Sequence, residues 1–219
     1  MTLALLVISF VALIISLSTH EYSHALAAFL LGDKTAQRAG RLTLNPAAHV
    51  DPVGTIIIPL VQLVGALAGT PVPIFGWAKP VPFNPYNLKH GKWGAVIVAL
   101  AGPVSNFAMA FVYLMLLRLV LLYGGFAPTN MLVLFLTVLV MINVVLGVFN
   151  FIPVPPLDGS KLLHAVWDKP QHRERLIWLE TRGPMLLMGI ILIDFILPVS
   201  ILGAIFSTAI GAVFAVGGL

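Results

Sequence analysis

The chain has 219 residues, 59% of them hydrophobic and only 9% charged, with a formal net charge of +4 and a mean hydropathy of +1.03. A soluble domain is nearer one quarter charged, so the composition excludes an ordinary water-soluble fold and predicts a surface that faces lipid. No cysteine is present, which excludes disulfides and thiolate metal sites, and the Lys and Arg residues read as markers of cytoplasmic loops rather than as a nucleic-acid patch.

Five apolar segments approach or exceed the roughly twenty residues that a spanning helix requires, at 3–31, 53–70, 94–123, 131–152 and 184–217. With no long hydrophilic block among them, 1–219 reads as a single membrane domain without an appended soluble module. The first segment lacks a basic start and a small-residue cleavage site, so it is expected to stay in the mature protein. Near its end stands His20-Glu21-Tyr22-Ser23-His24. On a helix, residues four apart differ by about 40° of rotation and about 6 Å of rise, so both imidazoles can reach one metal ion from one face. Two His ligands beside a carboxylate that can take a proton from water are the arrangement of a zinc peptidase. The alternative is three polar residues satisfied by neighbouring helices, against which stands the expense of such groups inside a span.

Segment 53–70 is short, holds Pro59, Gly65 and Gly69, and lies between turn-rich stretches. It reads as re-entrant. If Asp158 is to join His20 and His24, an even number of crossings must separate them, and 94–123 with 131–152 already supply two. Re-entry also puts Lys34, Arg38, Arg41, Lys79, Lys89, Lys92, Lys161, Lys169, Arg173, Arg175 and Arg182 on one side, leaving Arg118 near the far end of its helix. The positive-inside rule makes that side cytoplasmic, with the N-terminus outside and the candidate ligands towards the cytoplasmic leaflet. Trp77, Trp93, Trp167 and Trp178 fall in or beside the same loops, as an interfacial belt does. His49 is either a turn cap or a group near the site, while His90 and His172 read as solvated. Arg41–Leu44 and Phe75–Val81 have patterns that would let an extended peptide pair with them, with ordinary turns as the alternative.

Within 94–123, Ala101-Gly102-Pro103 opens a spanning helix and Asn106 is expected to pack near the metal helix; Asn143, in the next segment, is expected to hydrogen-bond between helices. That segment ends in Asn150-Phe151-Ile152-Pro153-Val154-Pro155-Pro156-Leu157-Asp158-Gly159. Three prolines in four positions cannot continue an ordinary helix, and irregular backbone at membrane depth must line protein or a water-filled cavity. Asp158 then sits where water enters and supplies a third zinc ligand, leaving a fourth position open. His164, six residues on, turns away from it on a continuous helix. The tract 184–217, interrupted by Pro198, is one span and an interfacial helix or two short spans, and Asp194 within it is a gate, a proton path or a carboxylate paired at the helix break.

Taken together, His20 to His24, Ala101-Gly102-Pro103 and Asn150 to Gly159 resemble the site-2 proteases, intramembrane zinc metalloproteases, in a compact microbial form without the PDZ domain of many relatives. The resemblance implies one Zn2+ per chain on His20, His24 and Asp158, Glu21 as general base, and Asn150 as a positioning group or oxyanion donor. It also implies an all-α, multi-pass protein of the cell membrane with about 4 to 6 transmembrane helices, a short re-entrant segment and a small membrane-associated β-hairpin. The implied partners are the lipid bilayer and a membrane-protein or transmembrane-peptide substrate cut in or near its transmembrane segment, with no nucleic acid. Other classes remain: a metal or proton transporter, for which no internal repeat is visible, and a non-catalytic scaffold, which would be expected to have lost a ligand or the base.

Overall fold

A computed structural model describes residues 3–67, 76–167 and 169–219, and every regular element among them is helical. Helix α1 (Leu3–Leu30) has 28 residues and no charged group in its first or last turn, so at about 1.5 Å per residue it can cross a bilayer core of about 30 Å. Ser9, Ser16, Ser18, Thr19 and Ser23 each donate their hydroxyl to the carbonyl four residues earlier. These hydroxyls therefore carry no unmet hydrogen bond into lipid.

After the short helix α2 (Thr35–Arg38) and a loop come a π-helical turn over Pro52–Ile57 and helix α3 (Ile58–Leu67). The ten residues of α3 are too few to cross alone. Helix α4 (Gly91–Tyr123) contains Pro103, and α5 (Met131–Asn150) is started by the Asn130 side chain, which accepts the Leu132 N–H. Ala12, Leu117, Val133, Leu136 and Leu139 form one buried cluster where α1, α4 and α5 meet. This three-helix core carries the candidate site at one end.

The remaining helices are α6 (Ser160–Val166), α7 (Arg173–Ile196) and α8 (Ile201–Gly217). Four helical stretches are long and apolar enough to cross a membrane among the described residues: Ala4–Leu30, Gly91–Tyr123, Met131–Asn150 and Pro170–Ile196. The tract after 184 is two helices broken at 197–200. α8 packs along α4 and α5, with Phe206 against Phe149 near one end and Gly217 against Leu114 towards the other. Asp194 accepts the Ser200 hydroxyl and the Ile201 and Leu202 N–H groups, so it caps α8 and closes the break.

No β-strand occurs among the described residues, so the expected hairpin is not seen there. Arg41–Leu44 is irregular, residues 76–84 run as extended chain, and Phe75 lies outside the described residues. The reason is visible in the hydrogen bonds of the extended run. Trp77 and Lys79 donate their N–H groups to the Gly54 and His49 carbonyls, and the Arg41 guanidinium donates to the Lys79 and Pro80 carbonyls. Its partners are turns and side chains rather than a second strand.

Candidate metal centre

The site begins with the spacing inside α1. His20 and His24 are one helical turn apart and both buried, their rings nearly perpendicular with centroids 4.6 Å apart and their Nε2 atoms 3.0 Å apart. The His24 Nδ1–H donates to the Val98 carbonyl at 2.7 Å, and since a carbonyl only accepts, the Nε2 of the neutral His24 ring presents its lone pair. Helix α4 approaches α1 closely enough to make this bond because residue 102 is glycine. A Cβ on Gly102 would lie 2.4 Å from His24 Nε2 and 2.6 Å from His20 Cε1. The space between the imidazoles and α4 is thus a cradle that any larger residue would fill.

Asp158 arrives from the other end of the chain. The backbone after α5 folds back on itself through Leu157 N–H to the Val154 carbonyl and Gly159 N–H to the Asn150 carbonyl, the latter at 2.7 Å. A Cβ on Gly159 would lie 2.4 Å from the Phe151 carbonyl oxygen, so the Asp-Gly pair is required by close backbone approach. The loop delivers Asp158 Oδ2 to within 3.1 Å of His20 Nε2 and 3.3 Å of His24 Nε2.

Three ligand atoms about 2.0–2.1 Å from a tetrahedral ion stand about 3.3 Å from one another. The observed separations of 3.0, 3.1 and 3.3 Å match that edge length, and the donor set of two imidazoles and a carboxylate is one that zinc accepts. This is the one group of three or more ligating side chains within reach of a common ion among the described residues. A three-residue set leaves one tetrahedral position open to solvent or substrate.

Glu21 is buried beside the cluster, and its Oε2 accepts the Val81 N–H at 3.1 Å. The extended run 76–84 therefore crosses the site, and Asn84 N–H ties its far end to Asp33 at 2.7 Å. Residues 77, 79 and 81 turn their N–H groups inward; of the outward positions, 80 and 82 are prolines with no N–H to give.

The other candidates are placed as follows. Asn150 ends α5 and its side-chain amide donates to the Leu146 carbonyl at 3.1 Å. His49 is buried, with Nε2 2.8 Å from the Thr43 carbonyl and its own carbonyl bound to Lys79; it is a tie in the loop and not one of the three clustered ligands. His164 pairs with Glu180 at 3.4 Å, joining α6 to α7. Asn143 bonds between helices, to Ser16 and Asn106. Three features of the site escaped sequence reading: the closeness that requires glycine at 102, the backbone amide of Val81 on the candidate base, and the buried Arg41 that holds the run across it. Only the first had a signal, the Gly-Pro pair inside an apolar helix.

Residues 119–192 match the family model described as peptidase family M50. The chain is 39% identical over 176 residues to a Bacillus subtilis (strain 168) protein named "Putative zinc metalloprotease YwhC", covering 79% of this chain and 74% of that relative. It is 30% identical over 152 residues to the similarly named Rip2 of Mycolicibacterium smegmatis, covering 67% of this chain and about half, 52%, of Rip2. A shorter likeness, 39% over 66 residues, covers 30% of this chain and 31% of MJ0611 of Methanocaldococcus jannaschii, which bears the same description. No solved structure matches the chain.

Proposed function

The chain belongs to peptidase family M50, and from that membership we propose that this zinc metalloprotease of the membrane cuts a peptide bond in or near the transmembrane segment of another membrane protein. The observation that carries the reading is the meeting of Asp158 with His20, 138 residues earlier in the chain, and with His24 one turn on, with the buried Glu21 beside them. His20, His24 and Asp158 are the residues to hold the zinc, and Glu21 is the general base.

When bound, zinc supplies Lewis-acid polarisation of the scissile carbonyl and makes water acidic enough to lose a proton near neutral pH. The chain's own groups do the rest. Glu21 takes that proton on its carboxylate and can return it to the leaving amine. The Val81 N–H on Oε2 holds the carboxylate in place. Asn150, at the mouth of the proline loop, is the candidate donor to the developing oxyanion, after exchanging its bond to Leu146 for the substrate. Burial of the histidines keeps the bulk solvent away from the metal side.

The substrate lies alongside residues 76–84, where a helix must open to offer its carbonyl. Because Pro80 and Pro82 give no outward N–H, that edge recognises a peptide through carbonyls and the Ala78 amide rather than through a full ladder. The site faces the cytoplasmic leaflet in this reading, which the one-sided distribution of Lys and Arg supports.

Comparing membranes from cells that express wild type or Glu21→Gln tests the assignment. The variant is expected to keep its zinc and to yield no fragments of co-expressed membrane proteins that wild type produces. Equal fragment patterns from the two would remove Glu21 from the chemistry and with it the peptidase reading of this site.

A further inference from the structure

Between α1, α4 and α5 runs a chain of buried amides whose direction is fixed along its whole length. Asn143 donates both N–H groups of its side chain, one to the Leu139 carbonyl at 2.8 Å and one to the Ser16 hydroxyl oxygen at 2.8 Å. Neither bond can be reversed. Leu139 offers a carbonyl, which only accepts, and the Ser16 hydrogen is already given to the Ala12 carbonyl. The Asn143 oxygen must then face the other way, where it accepts the Asn106 side-chain N–H at 2.9 Å. Asn106 is left with its Oδ1 turned towards His20 Nδ1, 2.5 Å away. An oxygen acceptor there requires a proton on Nδ1, and a neutral imidazole protonated at Nδ1 has its lone pair on Nε2, the atom that faces His24 and Asp158.

Asn106 and Asn143 are completely buried, and Ser16 and His20 nearly so, so no bulk water competes for these bonds. The amide orientations are anchored in two backbone carbonyls, Leu139 and Ala12, that belong to helices rather than to the site. We infer that Asn106, oriented by Asn143 and Ser16, is a positioning residue that locks His20 in the Nδ1–H tautomer and thereby sets the zinc affinity of the site. The inference rests on the zinc reading above. His24 obtains the same tautomer more simply, from the Val98 carbonyl, so the two ligands are prepared by different means. Only the His20 arm depends on side chains that substitution can alter.

Two readouts on the full chain in detergent test this. The first is the nitrogen-15 spectrum of histidine-labelled, metal-free wild type above the imidazole titration range, where His20 is expected as the Nδ1–H form; finding it as Nε2–H would overturn the inference without any variant. The second is zinc affinity by competition with a chromophoric chelator. Asn106→Leu, of the same branched shape without the acceptor, is expected to weaken binding by about 10- to 100-fold. Asn106→Asp, kept neutral by burial so that its O–H donates to Asn143 Oδ1 as the amide does while its other oxygen faces Nδ1, is expected to bind close to wild type. A purely packing role predicts equal affinity in the two variants, since both keep the branched shape of asparagine. Wild-type affinity in Asn106→Leu, or equal loss in a folded Asn106→Asp, would overturn it. Wild type that binds no zinc would sink the metal reading itself, while the tautomer measurement on metal-free protein would still report on the amide chain.

Discussion

At the scale of single residues, the site is as sensitive to a missing side chain as to the ligands. Gly102→Ala should favour helix α4 by up to about 1 kcal/mol on propensity alone. Yet its Cβ would stand 2.4 Å from His24 Nε2, so the variant is expected to fold and to lose most of its zinc; metal analysis of the purified protein checks this, and full zinc content would contradict it. Asn150→Ala is expected to lower turnover by about 10²-fold or more with zinc retained, as removal of an oxyanion donor does, and unchanged turnover would exclude that role. The histidine pair of the cluster was legible in sequence because its chemistry is rare in an apolar helix and its spacing is helical. Gly102, Val81 and Arg41 were not, since each matters through what another element brings against it. Asn106 and Ser16 stand between, because Ser16 lies one turn before His20 on the same face and needed only the partner helix to complete the pattern.

Elements here are joined by buried polar groups placed at their ends. Asp33, just past α1, is completely buried and accepts the Thr35 hydroxyl at 2.6 Å, the Asn84 N–H at 2.7 Å and the Asn87 side chain at 3.0 Å. Burial alone would raise its carboxyl, but the Thr35, Asn87 and Asn84 donors outweigh it and hold the group below the usual carboxylate range. A carboxyl lowered on folding contributes stability that is present above its unfolded value, about 3.9, and is lost as pH falls through the folded value. Asp33→Asn is therefore expected to be less stable at neutral pH, by about 1 to 3 kcal/mol for bonds to a charged acceptor, and the gap to wild type should close on acidification below about pH 4. A gap that stays constant in thermal melts across that range would remove the linkage. Because Asp33 anchors Asn84, the same substitution should loosen the run over Glu21. The proline loop and the break at Pro198 were readable from backbone chemistry, whereas the segments 41–44 and 75–81 stayed open between a pairing edge and ordinary turns, because such patterns look alike whether the partner is another strand or a set of turns. Asp194, read as a gate, a proton path or a carboxylate paired at the helix break, is paired there with the first N–H groups of α8.

Over the whole molecule, three packed helices and a returning loop bring one end of α1 and the end of α5 to the same depth. That depth carries the topology. The absence of cysteine makes single-cysteine labelling free of background: Thr129→Cys, in the loop between α4 and α5, is expected to react from outside and Lys34→Cys from the cytoplasmic side, and the opposite pattern would reverse the orientation. The meeting of Asp158 with the histidines was legible from the paired motifs, and it is what the structure brings together. What α7 does was not, because its composition suits a span while Gly183 against Pro155 and Asp194 on the start of α8 tie it to neighbouring elements. All of the proposed chemistry depends on a single ion that α1 and the loop after α5 would share. Side-by-side zinc analysis of purified wild type and Asp158→Ala tests that dependence most directly: one zinc per wild-type chain and little in the variant is the expected result, and a variant that holds zinc as fully and as tightly as wild type would contradict it.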